Sequence, residues 1–362
     1  QLQDRLDDLR ASVRTSGTNG LLSMSVETKR EYLSDLVPLL GEILRRPRFD
    51  EAELEVLRRQ SITETEALMT EPTALASIKV TRTLAPYEPD NMRYVPTLEE
   101  RIERIRGVTA EQLKALHAEQ LSSMRGEVTA VGDFDPEELA KAFEDVLGAW
   151  KSEIEFARIP ASAQTEVSGT LDEILTPDKA NALYYASEQI AMRDDDPDYP
   201  ALVVGNYILG ASALSSRLGN RVRGQEGLSY SVGSGLSSHP IDKRTSLTVY
   251  AICNPENKDK LVQVIREELL LLLEKGVTDT ELEAAKQGIL QSSQLERTRD
   301  GTLASILGGT IFADRDMGYY AQFEERISAL AAADVNAALK KYIEPERLVI
   351  CVAGDLEKAD VK

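Results

Sequence analysis

The sequence predicts an α+β protein made of two similar sandwich domains, each with a mostly antiparallel sheet and helices packed on one face. The chain has 362 residues, which is about two domain lengths at roughly 150 residues each. An internal repeat places similar segments in the same order in both halves. Each half also combines helices of 3.6-residue periodicity with alternating runs that are typical of strands.

The repeat consists of two blocks. Residues 53–55 recur 228 positions later as residues 281–283, and residues 132–133 recur 222 positions later as residues 354–355. The offset therefore changes by only six residues between the blocks. Similarity between unrelated Ala/Glu/Leu-rich helices is the weaker explanation, and a duplicated unit is the prediction.

The first unit begins with packing helices. Apolar residues at helical spacing predict helices over residues 32–45 and 51–69. A short helix over residues 110–120 follows, with Thr109 as its N-cap and Gln112 at the position of a capping box. The alternating residues 127–131 predict a strand that ends the unit.

The second unit repeats this order. Its predicted elements are helices over residues 258–273 and 279–297, a short helix from Ala333, and a strand over residues 347–353. The same secondary structure in the same order supports the duplication.

The second unit has a front part without a counterpart in the first. This part comprises a strand-like stretch over residues 182–192 and a helix from Tyr199 to about Leu209. With the boundary at residue 158, we expect domains at residues 1–158 and 159–362, and the first is 46 residues shorter. The first domain should therefore lack about one strand and one helix at its N-terminal side. We expect another segment to cover the sheet edge or apolar face that this leaves.

Composition excludes several classes of protein. The chain is 42% hydrophobic and 28% charged, which is ordinary for a globular protein. Its 42 basic and 61 acidic residues give a net charge of −19, which disfavours nucleic acid or anionic lipid as partners. The sequence contains no apolar run long enough to suggest a membrane-spanning helix.

Few residues are suited to metal binding or nucleophilic catalysis. The two histidines, His117 and His239, stand far apart, so no HExxH or HxxEH helix can form. Cys253 and Cys351 lie in apolar strand-like runs and are predicted to be buried, with a disulfide between them left open. We therefore expect no metal site and no independent catalysis in this chain.

One segment of the sequence contains polar residues that packing alone does not require. Residues 217–230 carry three arginines, and Gly227 allows a turn from a helix into a strand. Arg223 and Tyr230 could converge on a peptide carbonyl, since one offers charge-assisted donors and the other a hydroxyl. Equally, Arg223 could pair with a carboxylate while Tyr230 packs.

These features resemble the M16 zinc peptidases, the family of pitrilysin, insulysin and mitochondrial processing peptidase. Residues 223–234 (RGQEGLSYSVGS) match its R-x-x-x-G-L-x-Y segment. Residues 45–60 match the helix before its metal-binding glutamate, and residues 127–139 match its domain-closing strand and turn. The resemblance covers nearly the whole chain and implies the LuxS/MPP-like metallohydrolase fold.

The resemblance also implies roles for particular residues. In that family the catalytic half carries HxxEH on a helix and a glutamate further along as third zinc ligand. Glu64 stands at the glutamate position, but Leu57 replaces the accessory acid and the HxxEH segment is the part that the repeat lacks. Glu64 is therefore expected to be a carboxylate on a helix surface. The substrate-binding pair of the family carries over as Arg223 and Tyr230.

The chain thus resembles the non-catalytic second module of bacterial M16 zinc proteases. The implied function is to close over a zinc-bearing partner half around a peptide substrate, either in one polypeptide, as a separate subunit or as a self-dimer. The zinc is expected in the partner half, with no cofactor in this chain. Two alternatives stay open: a fragment of a complete peptidase whose HxxEH lies upstream of Gln1, and a purely structural subunit. Family resemblance suggests a periplasmic location, and a cytoplasmic one stays open as the alternative.

Overall fold

The computed structural model describes residues 2–18, 20–152 and 154–357. The chain divides into two compact units that interleave along the sequence. Unit 1 comprises Gln1–Ile62, Glu103–Ile159 and Glu296–Asp316, and unit 2 comprises Thr63–Ile102, Pro160–Leu295 and Met317–Lys362. The boundary at residue 158 comes from the sequence repeat. The division into two homologous domains, residues 1–158 and 159–362, stays a prediction.

Helices supply most of the secondary structure. They are α1 (Leu2–Asp8), α2 (Leu33–Arg45), α3 (Glu51–Leu68), α4 (Pro72–Thr83), α5 (Leu98–Gly107), α6 (Ala110–Gln120), α7 (Pro136–Leu147), α8 (Tyr199–Asn206), α9 (Lys258–Lys275), α10 (Asp279–Glu296), α11 (Asp300–Phe312), α12 (Gly318–Ala329) and α13 (Ala332–Tyr342). The strands are β1 (Ser12–Thr18), β2 (Leu21–Glu27), β3 (Thr170–Leu175), β4 (Ala182–Ile190), β5 (Ser229–Ser238), β6 (Thr245–Cys253) and β7 (Val349–Gly354).

The helix bounds follow the offsets of the repeat. Shifting α3 by 228 residues gives the bounds of α10, and shifting α6 by 222 residues gives those of α13. The predicted capping box of α6 is also present, because Thr109 accepts a hydrogen bond from the Gln112 backbone while Gln112 reaches back to Thr109. Local periodicity and capping therefore define these helices as the sequence predicts.

Unit 2 contains a five-stranded mixed sheet in the order β3-β7-β4-β6-β5. Only the pair of β3 and β7 is parallel, and the other neighbours are antiparallel. Tyr184 at the centre of β4 lies opposite Ala251 on β6 and Val352 on β7, and all three are buried. The mixed α+β class with a mainly antiparallel sheet is thereby confirmed.

The two faces of this sheet are both covered. Alternate residues of β4, β6 and β7 pack against α8, α9 and α13 in the larger core. On the opposite face, Ala76 and Val80 of α4 and the following Leu84 pack against Leu183 and Cys351. The prediction of helices on one face therefore describes the larger core, and α4 covers the second face.

Unit 1 has a smaller core on a hairpin that sequence reasoning missed. β1 and β2 pair antiparallel, and Val13, Met24 and Val26 pack against Leu36 and Leu40 of α2. The pair Asn19-Gly20 between the strands is a strong hairpin signal that could have revealed them.

The strand predicted at residues 127–131 is wrong. This segment pairs with no strand among the described residues, and Val128 is 50% exposed. Its counterpart in the repeat is β7, which lies between β3 and β4. The described part of the first half contains no counterparts of those two strands, so the alternating sequence has no ladder to join.

Candidate functional site

The predicted pair lies where the segment after α8 enters β5, with Arg223 in that segment and Tyr230 at the start of the strand. Residues 219–225 form a π-helical turn that is held by Leu218 and Val222, both fully buried. Gly227 follows with φ of +62°, a left-handed conformation that glycine adopts without strain. Leu228 is again buried and leads into β5. Buried anchors on both sides therefore fix the turn between helix and strand.

Arg223, which follows the buried Val222, is exposed. Among the described residues, its guanidinium forms no hydrogen bond and no ion pair, in a protein with 61 acidic residues. The pairing with a carboxylate that the sequence left open is therefore not found. Its five N–H donors are available to a ligand.

The neighbouring arginines differ from Arg223 because both have structural partners. Arg217 forms a bidentate pair with Glu281, at 2.7 Å from Nε to Oε1 and 2.9 Å from Nη2 to Oε2, and also donates to the Gly276 carbonyl. Burial raises the pKa of Glu281, but hydrogen bonds from Arg217 and Thr278 outweigh it and bring the pKa to about 2. Arg217 thus anchors this segment to the start of α10.

Arg221 belongs to a second network at the surface. Its Nη1 lies 3.0 Å from Glu226, and Lys260 of α9 contacts the same carboxylate at 2.6 Å. The hydrogen bond from Lys260 lowers the pKa of Glu226. Both cations are engaged by this glutamate, which leaves Arg223 as the arginine of the run without a protein partner in the described residues.

Tyr230 lies at an irregularity in β5. Ser229 pairs with Cys253 of β6 and Ser231 pairs with the next residue, Ile252, so Tyr230 is an additional residue in the ladder. The Ser229 hydroxyl donates to the Ser231 carbonyl at 2.8 Å and accepts from its N–H at 3.1 Å. Tyr230 is 60% exposed. A bulge of this kind redirects a side chain away from the regular alternation of a strand.

Arg223 and Tyr230 can therefore both donate hydrogen bonds to a ligand outside the fold. β5 is one of the two edge strands of the five-stranded sheet, and Tyr230 lies near its start. A guanidinium and a phenol suit a carbonyl or carboxylate acceptor of a peptide. That the two side chains converge on one acceptor stays a prediction.

Neither histidine is placed as a metal ligand. His117 Nε2 donates to the Leu44 carbonyl at 2.7 Å, and its ring stacks on Trp150. His239 Nδ1 accepts hydrogen bonds from the backbone N–H groups of Ile241 and Asp242. Both imidazoles serve local structure.

The other candidate ligands do not form a metal site either. Glu64 lies exposed on α3. Across the described part of the chain, no three His, Cys, Asp or Glu side chains form a group that could hold a metal ion. The described residues therefore offer no group of the three or four ligands that a zinc site requires.

The two cysteines are buried and free. Cys253 pairs across the sheet with Ala182 and belongs to the larger core, whereas Cys351 pairs with Tyr185 on the opposite face. β4 separates the two thiols, so this arrangement does not allow a disulfide. Burial raises the pKa of Cys253 to about 11 and that of Cys351 to about 12.

Comparison with known proteins places these features in a family. The family model described as the peptidase M16 inactive domain matches residues 107–289. The non-peptidase homolog YmxG of Helicobacter pylori is 22% identical over 340 residues, which cover 93% of this chain and 76% of that protein. The crystal structure of a peptidase M16 inactive domain from Pseudomonas fluorescens superposes with a TM-score of 0.82 at 21% identity, covering 98% of this chain and 82% of the other.

A third relative is a larger protein. The probable zinc protease PqqL of Escherichia coli is 28% identical over 131 residues, which are 36% of this chain but only 14% of PqqL. Its solved structure, described as a periplasmic protease, matches with a TM-score of 0.74 at 19% identity, covering 97% of this chain and 38% of that chain. No described helix here has the length and apolar composition that a membrane span requires. The family match extends over half of the residues, and the chain belongs to the peptidase M16 family as a carrier of its inactive domain.

Proposed function

We propose that this chain is the non-catalytic half of an M16-type zinc peptidase and closes over a zinc-bearing half to enclose a peptide. The family match and the likeness to zinc protease PqqL support this proposal. The proposal is also supported by the lack of a group of zinc ligands among the described residues. The zinc and the hydrolytic water belong to the partner half, and this half contributes substrate contacts.

The observation that carries the proposal is the state of Arg223 and Tyr230. Both are exposed, and neither side chain forms a hydrogen bond with a described residue. A guanidinium in a protein of net charge −19 would ordinarily find a carboxylate. We propose that these donors bind the backbone of a peptide and orient it for attack in the partner half.

Arg223 and Tyr230 should contribute measurably to the rate of peptide hydrolysis. Donors that hold a developing negative charge in a water-poor site contribute roughly 2 to 4 kcal/mol of transition-state stabilisation. Loss of one donor should then lower the turnover rate by about a hundredfold.

The test uses this chain assembled with the M16 half that carries HxxEH, either joined in one polypeptide or expressed together. Hydrolysis of a quenched fluorescent peptide is compared between wild type and the variants Arg223→Ala and Tyr230→Phe. The matched control is Arg266→Ala, since Arg266 is an exposed arginine of α9 with a single surface ion pair to Glu346. Gel filtration checks that each assembly stays intact.

We expect both site variants to assemble normally and to lose about a hundredfold in kcat/KM, with the control unchanged. Unchanged turnover in both site variants, with intact assembly, would reduce this chain to a structural subunit. Hydrolysis and one tightly held zinc in the purified chain alone would show instead that it is a complete peptidase.

A further inference from the structure

The helix-to-strand turn that lies between Arg223 and Tyr230 has a counterpart in the first half of this protein. In the first half, α1 leads through Arg10 into β1, and in the second half residues 219–225 lead through Gly227 into β5. Arg10 and Gly227 share the left-handed conformation, with φ of +48° and +62°. The turn at Arg10 can therefore be compared directly with the turn at Gly227.

The structural anchors of the two turns also correspond. Leu6 and Val222 are the buried helix residues before each turn. Arg5 pairs with Glu42 of α2, and Arg221 lies 3.6 Å from Glu267 of α9. Because these contacts recur, differences between the two copies can be assigned to single positions.

The first difference is one additional residue in the helix. A backbone hydrogen bond closes the first turn from Ala11 N–H to the Leu6 carbonyl, and the second from Leu228 N–H to the Val222 carbonyl. The hydrogen bond of the second turn joins residues six positions apart, whereas that of the first joins residues five positions apart. The additional residue makes the second helix π-helical, an arrangement that is common at functional sites, and Arg223 lies within it.

The second difference is one additional residue in the strand. β1 pairs with β2 without interruption from Ser12 onward, whereas β5 has the bulge at Tyr230. Each member of the Arg/Tyr pair thus lies at a one-residue insertion, on either side of Gly227. Packing does not require either insertion, because the first half forms the same turn without them.

We propose that Ser229 is the positioning residue that holds the bulge and thereby directs Tyr230 toward substrate, an inference that rests on the proposed function. Ser229 is 6% exposed, and its hydroxyl satisfies both the N–H and the carbonyl of Ser231. The regular ladder cannot bond these groups in the same way at a bulge. Without the hydroxyl, the bulge loses both local hydrogen bonds and the orientation of the phenol is no longer fixed.

The test combines a structural and a kinetic measurement on the assembled protein. A fluorinated tyrosine is incorporated at position 230, and its ¹⁹F resonance is compared between wild type, Ser229→Ala and Ser229→Thr. Hydrolysis of the fluorescent peptide is measured for the same variants without the label. Ser234→Ala is the control, since Ser234 is another buried serine of β5 and its hydroxyl bonds Asn206 instead.

We expect Ser229→Ala to shift or broaden the resonance and to lower kcat/KM by about two- to tenfold, the factor that corresponds to one lost neutral hydrogen bond. Ser229→Thr should restore both, and Ser229→Ala should have no further effect once Tyr230→Phe is present. If Ser229→Ala does not fold, Ser229→Cys replaces it, because a thiol of similar size forms only weak hydrogen bonds.

The outcomes separate this inference from the proposed function. An unchanged ¹⁹F resonance in Ser229→Ala overturns the positioning role, whatever the turnover. The same holds if Ser234→Ala changes the resonance equally. A changed resonance with normal turnover in both Ser229→Ala and Tyr230→Phe would leave the role of Ser229 in the bulge intact but contradict the proposed function.

Discussion

Glu188 makes unit 2 sensitive to pH in a way that can be measured. It lies on β4 opposite Leu247 and is only 2% exposed. Its Oε2 accepts a hydrogen bond from the Glu344 N–H at 3.3 Å, while Oε1 has no partner among the described residues. Burial raises the pKa of Glu188 to about 8, although the Glu344 hydrogen bond and the charge of Arg347 lower it in part.

The sign of the effect follows from this raised pKa. The unfolded chain loses the proton near pH 4.5, while the folded protein holds it until about pH 8. The contribution of Glu188 to stability is therefore greatest below about pH 4.5 and falls as the pH rises toward 8. At about 1.4 kcal/mol per pH unit, the fall attributable to Glu188 is at most about 5 kcal/mol.

The assay is urea unfolding followed by circular dichroism at pH 5 to 8.5. Glu188→Gln keeps the shape of the side chain but cannot ionise, so the decline with pH should be flatter than in wild type. Glu64→Gln serves as the control because Glu64 is an exposed carboxylate on α3. A difference between wild type and Glu188→Gln that changes by less than about 1 kcal/mol over this range would refute the reasoning.

Two further predictions concern side-chain packing. Gly210→Ala should lower the free energy of unfolding by about 2 kcal/mol or more, because the added Cβ would lie 2.4 Å from the Ser234 backbone nitrogen; Gly309→Ala, with nothing within 4 Å, should change it by less than about 1 kcal/mol. Calorimetry or urea unfolding would check both. Cys253 and Cys351 should react slowly with a thiol reagent at pH 8 in the native protein and rapidly in urea, since both thiols are buried and protonated. Rapid labelling of the folded protein would contradict the packing described for the two faces of the sheet.

The helices were predictable because their determinants are local. Apolar spacing and a capping box set the bounds of α6, and the repeat then gives the bounds of α13 at an offset of 222 residues. The helix predicted to end near Leu209 shows the limit of this reasoning. It is α-helical only to Asn206 and continues as a π-helical turn to Ala211.

Strands were predicted less well because a strand needs a partner. Residues 127–131 alternate like β7, yet only β7 has neighbours on both sides. Pattern alone cannot reveal whether a neighbouring strand is available. The missed hairpin of β1 and β2 is the converse case, since its signal was a turn sequence in a largely exposed segment.

The site residues were found by resemblance, but their setting was not visible in the sequence. Arg223 and Tyr230 match a family motif, whereas the π-helical turn and the bulge depend on which backbone groups bond across to Val222 and β6. A comparison of the two copies of the turn would have signalled them, because the second copy is longer by one residue on each side of Gly227.

The most direct test of the central claim is to ask whether a substrate peptide lies against Tyr230. A photo-reactive benzoylphenylalanine replaces Tyr230 in the assembled enzyme, and a labelled peptide is added before illumination. Tyr250 on β6, 39% exposed, is the control position. We expect the peptide to crosslink at position 230, unlabelled peptide to compete, and position 250 to give little product. Absence of a crosslink at position 230 in an assembly that is intact by gel filtration and still binds the peptide would contradict the central claim.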